Sequence, residues 1–160
     1  MNRPGDLLLS PWALVSVATV LINDHVLKDA FGNTLTGKLS DIAGVFLFPL
    51  LLLSVLEVLR RSLVGRAAIA WSIAVTGIGF AAVKLVAPVG DAYEWVIGFL
   101  RWAAGGLRGD ILPILVFRDP SDLWVLPILF ASYLVITHNR TRAPEGAPEH
   151  EKISPALHPR

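Results

Sequence analysis

The chain has 160 residues, 54% of them hydrophobic and 17% charged, with a formal net charge of +1 and no cysteine. Soluble domains carry about 25% charged residues, so the balance is shifted toward membrane composition. The near-neutral charge removes the electrostatic case for nucleic acid, and the lack of cysteine excludes disulfides, thiolate metal sites and thiol–disulfide exchange.

Four apolar stretches follow one another along the chain, at residues 7–27, 39–59, 67–87 and 123–137. Crossing roughly 30 Å of hydrocarbon takes about 20 apolar residues. The first three stretches reach that length, and the fourth reaches it with its flanks, as 119–138. The expected fold is an all-α integral membrane protein. Four transmembrane helices form a compact bundle over residues 1–138, a short interfacial helix lies on the outer side at 91–105, and a disordered cytoplasmic tail occupies 139–160.

Ser10-Pro11 opens the first span, with Ser as N-cap and Pro at the first helical position. A cleaved signal peptide is the rival reading. Asp6 dilutes the charge of Arg3, and Asn23-Asp24-His25 follows the apolar run in place of a small-x-small cleavage site, so the span is read as retained. The second span takes Thr36 or Ser40 as its cap, and Pro49 inside it removes a backbone donor and predicts a kink. The third starts after Gly65-Arg66. Its small residues Ala74 and Gly77, with Ala81 and Lys84, share one face suited to close packing in the bundle or to a homo- or hetero-oligomer contact.

Trp95, Phe99 and Trp102 recur at spacings of four and three, as on one face of a helix lying at headgroup level. The run 111–117 is apolar but short. It fits a re-entrant piece, an interfacial segment or an irregular approach to span four. Ser121 is the expected cap of that span, and Pro127 is early enough to be tolerated or to kink it. From Asn139 onward Pro and charge dominate with no apolar period, which predicts disorder.

Arg60, Arg61 and Arg66 lie in the short loop between spans two and three, with Arg3 before span one and Arg140 and Arg142 after span four. Four spans put these regions on one side, and the positive-inside rule makes that side cytoplasmic. The expected location is the cytoplasmic membrane of a bacterial-type cell, with both termini inside.

No ionisable residue falls near the middle of any span. A proton- or cation-coupled carrier needs a titratable group there, which argues against a small exporter. Asp24, His25, Lys28, Lys38, Asp41, Lys84, Asp119 and Asp122 instead collect near the outer ends. Lys84, a turn inside the hydrocarbon, must snorkel, lose its proton or find an acid, and Asp41 is at the matching depth. The bland explanation is structural: charges clip helix ends and cap them. The functional alternative is a polar pocket open to the outer face. There Lys28, Lys38 and Lys84, with Asp119 and Asp122, would hold a lipid headgroup or other phosphorylated ligand. Asp24, His25 and Asp41 would be the acid–base residues if the protein is a hydrolase or transferase acting on a phosphoryl-linked lipid. The same three residues offer oxygen and imidazole ligands to a divalent metal, but neighbouring lysines weaken a metal cage, and no metal site is assigned. His25 and His138 fall at opposite depths, so bis-histidine haem ligation within the chain is geometrically poor. No cofactor follows from the sequence. A non-catalytic accessory subunit of a membrane complex is the further alternative.

Gly37-Lys38-Leu39-Ser40-Asp41-Ile42-Ala43-Gly44 resembles the G-x-L-S-D-x-x-G loop signature of major facilitator transporters. The basic residues that usually follow are missing, the segment falls on the outer side where that family's loop is cytoplasmic, and the chain has a third of the spans. The match is read as coincidence, with Asp near a helix start favoured by the helix dipole.

Overall fold

The structure, a computed structural model, describes residues 3–31, 34–107, 110–111 and 118–141. Its regular elements are all helical, with no strand among the described residues. They are α1 (Pro11–Ile22), a π-helical turn (Asn23–Leu27), α2 (Lys28–Phe31), α3 (Thr34–Arg60), α4 (Arg66–Leu85), α5 (Ala87–Ala104) and α6 (Ile128–Thr141). Short 3₁₀ turns at Asp6–Leu9 and Pro120–Val125 precede α1 and α6. Among the described residues, Leu35–Arg60, Arg66–Leu85 and Pro120–Arg140 are long and apolar enough to cross a membrane, while the apolar stretch Pro11–Leu27 is shorter.

α3 is the centre of the bundle, and α1, α4 and α6 pack around it. Its Phe46, Leu50 and Leu53 form the core with Leu7, Ala13, Ile69 and Ile136. The helix continues through Pro49, which is buried. Side chains between its ends are sorted inside out. Trp12, Leu14, Leu21, Phe48, Val55, Trp71, Ile78, Phe130 and Leu134 are exposed, whereas Ser16, Ser54, Ser72, Thr76 and Ser132 are buried. Most of these buried hydroxyls are satisfied by nearby carbonyls. Ser72 donates to Ile69 O at 2.8 Å, Thr76 to Ser72 O at 2.7 Å, and Ser132 crosses to Phe46 O on α3 at 3.0 Å. A water-soluble domain buries large apolar groups and rarely exposes so many of them together.

Several local expectations need correction. Ser10 does cap α1, accepting from Ala13 N at 3.3 Å. Neither Thr36 nor Ser40 caps α3, because the helix is already under way at Thr34. Asp119, not Ser121, caps the turn leading to α6, since a carboxylate accepts from the Ser121 N–H where a hydroxyl would have to reach further along. Pro127 separates that 3₁₀ turn from α6. α4 ends at Leu85 and α5 begins at Ala87, four residues before the expected interfacial segment, because Pro88 suits the first turn of a new helix. The inward face of α4 is Ile69, Ser72, Thr76 and Lys84. Gly77 borders it against Leu129, but Ala74 is exposed, so size alone did not identify the packing face. α6 runs to Thr141, past the expected start of the tail, and most of the 111–117 run and residues 142–160 lie outside the described residues.

Candidate functional site: an ionic chain at one end of the bundle

Lys38 and Asp41 are three apart on α3 and therefore face the same way. Lys84 sits in the last turn of α4, where the helix dipole favours a cation, and Asp122 lies in the first turn of the 3₁₀ segment before α6, where it favours an acid. Packing α4 and α6 on α3 brings the four together. Lys84 Nζ lies 2.8 Å from Asp41 Oδ2 and 2.7 Å from Asp122 Oδ2, and Lys38 Nζ lies 2.9 Å from Asp122 Oδ1. The order is Asp41–Lys84–Asp122–Lys38, alternating in sign, with one carboxylate bridging two ammonium groups. The Lys84 side chain is 8% exposed, and its Nζ also stands 5.5 Å from the centre of the Phe80 ring. Lys38 is 33% exposed and also bonds Ser121 Oγ at 2.9 Å.

Asp119 borders this chain without joining it. It accepts from the Ser121 backbone N–H and the Ser121 hydroxyl, both at 2.8 Å, and these bonds hold its carboxyl below the usual carboxylate range. Asp91, in the second turn of α5, pairs with Arg118, the residue before Asp119.

A second polar group is centred on the π-helical turn. Asn23 is fully buried, and its Nδ2 donates to Thr36 O at 2.8 Å and to Ser40 Oγ at 2.7 Å. Ser40 Oγ in turn donates to Asp24 Oδ1 at 2.7 Å. A π turn shifts the helical register by one residue, and here Asn23 is turned inward while Asp24 and His25 stay exposed.

The sequence-derived candidates thus divide. Lys38, Asp41, Lys84 and Asp122 meet, and Asp119 stands beside them. Asp24 belongs to the Asn23–Ser40 group. His25 is exposed with no hydrogen-bond partner among the described residues, and the side chain of Lys28 lies outside them. Asp24, His25 and Asp41 do not assemble into a metal cage: among the described residues no three His, Asp or Glu side chains converge on a possible ion site. The Gly37–Gly44 segment is helix, not loop.

Reasoning from sequence missed Asn23, Ser40 and Ser121 as members of these groups. It also missed a second ionic contact at the opposite end. Glu57 on α3, 1% exposed, pairs with Arg140 of α6. Its Oε2 accepts from Gly5 N at 3.2 Å and its Oε1 from Val64 N at 3.5 Å. An acid within the apolar sequence of the longest helix is the available signal, but its partner lies where the sequence predicts the tail.

The chain matches no protein-family model, and the comparisons with curated proteins and with solved structures return no match.

Proposed function

We propose that this chain is a four-span protein of a bacterial-type cytoplasmic membrane, with both termini on the cytoplasmic side, and that it serves there as a non-catalytic accessory subunit. The fourth span is α1 with its π turn. Gly5 bonds Glu57 near one end of α3, and Asp24 bonds Ser40 toward the other, so the first helix covers the stretch of α3 between Ser40 and Glu57. From Ser40 to Glu57 that length is about 25 Å at the helical rise of about 1.5 Å per residue. Polar layers at both ends and exposed apolar side chains between them are what a bilayer requires. α5, with Trp95, Phe99, Val96 and Leu100 exposed, suits the outer interface.

The observation that carries the accessory role is the alternating ionic chain. Both lysines that would grip a phosphate are already matched by Asp41 and Asp122, and Asp119 adds a negative charge alongside. An incoming anion would have to displace these carboxylates. The acid–base reading gains no support, because His25 gathers no catalytic partner among the described residues and Asp41 is engaged by Lys84.

A headgroup pocket is the second reading, and the partial exposure of Lys38 beside Ser121 favours it. Such a pocket, lined by both signs, would suit a zwitterionic headgroup better than a bare phosphate.

Single cysteines test the threading, since the chain has none of its own. In intact cells, His25→Cys and Asp119→Cys should react with an impermeant thiol reagent, and Leu63→Cys should not. Labelling of position 63, or none at 25 and 119, sinks the orientation. Lys38→Ala then separates the two roles: loss of saturable phosphatidylethanolamine binding with unchanged melting supports the pocket, whereas no saturable binding by the unmodified protein supports the accessory reading.

A further inference from the structure

α1 and α6 both pack on α3, and at one end of the bundle they leave a groove of about 580 Å³ between them. Its floor is Phe46 of α3. Its walls are Trp12 of α1 and Ala131, Leu134 and Val135 of α6, and its mouth is Thr137, His138 and Asn139. Ala131 is the smallest side chain of its lining, and a larger one there would narrow it.

We propose that this groove holds an acyl chain of an anionic phospholipid from the cytoplasmic leaflet, with the phosphate at the mouth. The inference rests on the membrane-spanning reading above. Depth decides the occupant. From Ala131 to Asn139 the groove runs eight residues along α6, about 12 Å at the helical rise. One leaflet contributes about 15 Å of a bilayer's hydrocarbon. A lipid tail needs that much and no more. A transmembrane helix of a second copy or another protein needs a seat through both leaflets, and this groove offers half of one. The sequence of polarity agrees: apolar walls toward the bilayer centre, then a hydroxyl, an imidazole and an amide at the level where Arg140 meets Glu57. Charge selects the headgroup. The neighbouring loop exposes Arg60, Arg61 and Arg66 with no acid between them, so the face at which the groove opens is positive.

Trp12 in the groove and Trp71 on the free surface of α4 are both exposed and both near the same end of the bundle, which gives the test an internal reference. Two single-tryptophan proteins keep one of these and carry Phe at the other four tryptophan positions. Each is reconstituted in phosphatidylcholine vesicles with increasing brominated phosphatidylglycerol, whose bromines quench indole on contact. Trp71 should be quenched in proportion to the mole fraction of brominated lipid. Trp12 should reach half-maximal quenching at a several-fold lower fraction. Brominated phosphatidylcholine should abolish that difference, and so should Ala131→Phe or, more gently, Ala131→Leu. If Trp12 and Trp71 follow the same curve, or if Trp12 is shielded from all brominated lipid by another protein surface, the groove does not hold this lipid. If Trp71 is not quenched at all, the membrane reading itself fails.

Discussion

Lys84 is the side chain on which three helices converge, because it touches Asp41 of α3 and Asp122 ahead of α6 from its own place on α4. Removing one partner of a buried pair leaves the other charge uncompensated, at a cost of about 3–5 kcal/mol. Lys84→Ala should therefore lower the melting temperature of the detergent-solubilised protein markedly, while His25→Ala should change stability by less than about 0.5 kcal/mol. Asp41→Ala and Lys84→Ala should combine less than additively, with a coupling of about 1–3 kcal/mol read from a double-mutant cycle; additive losses would show the contact to be incidental. The Asp41–Lys84 pair was legible in the sequence, since a lysine a turn inside an apolar helix needs an acid at its own depth. The second acid was not, because Asp122 sits where a simple cap would also sit. Asn23 was hidden for a different reason: its inward direction depends on a π turn, and side-chain spacing alone assumes a regular 3.6-residue period.

Between neighbouring elements, the α4–α5 corner is tightly packed. A Cβ added to Gly90 would meet the Val83 carbonyl oxygen at 2.9 Å and the Arg118 side chain at 2.8 Å. The arginine can move, but the backbone oxygen moves only with α4. Gly90→Ala should cost about 1–3 kcal/mol as an overpacking change, and it should show as increased protease cleavage around residue 86. The turn before α6 has its own titration. Asp119 is held below its ordinary value first by the Ser121 N–H and then by the Ser121 hydroxyl. A carboxyl lowered in the folded state supports the turn above its unfolded value of 3.8, and that support is lost as pH falls through the lower folded value. A carbon-detected NMR titration should place the Asp119 midpoint below 3.8, and Ser121→Ala should return it only part of the way. Helix existence was readable along most of this chain from apolar length. Boundaries were less so, as Pro88 and Asp119 show: each starts an element that the hydropathy profile merges into its neighbour.

Across the whole molecule, the two ends are fastened differently. One end has the neutral four-residue ionic chain, and the other has Glu57, which joins Gly5 ahead of α1, Val64 in the α3–α4 loop and Arg140 of α6. Glu57→Ala should loosen all three at once. The expected result is a loss of about 3–5 kcal/mol together with faster hydrogen exchange at Gly5 and Val64. Glu57→Gln should lose less, since its one amide oxygen still accepts from one of the two N–H groups, while the amide nitrogen faces the other as a second donor. The sequence revealed the ionic chain in outline because its members fall in or next to the ends of recognisable apolar stretches. The Glu57 fastening stayed hidden, because α6 continues to Thr141 through residues with no apolar signal, and an arginine there looks like part of a polar tail.

Fastening at both ends also fixes a length. The helices are tied to one another at Ser40 and at Glu57, about 25 Å apart along α3, so they cannot slide separately to fit a thicker hydrocarbon layer. With the chain spanning a bilayer as proposed, hydrophobic mismatch would be absorbed by the lipid, thinning around the protein at a cost of fractions of a kcal/mol per Å. Stability in vesicles should peak in short-chain phosphatidylcholine and fall steadily as the acyl chains lengthen. Breaking either fastening should flatten that dependence, because freed helices can slide past one another. In a membrane of uneven thickness, the same rigidity would draw this protein toward the thinner regions.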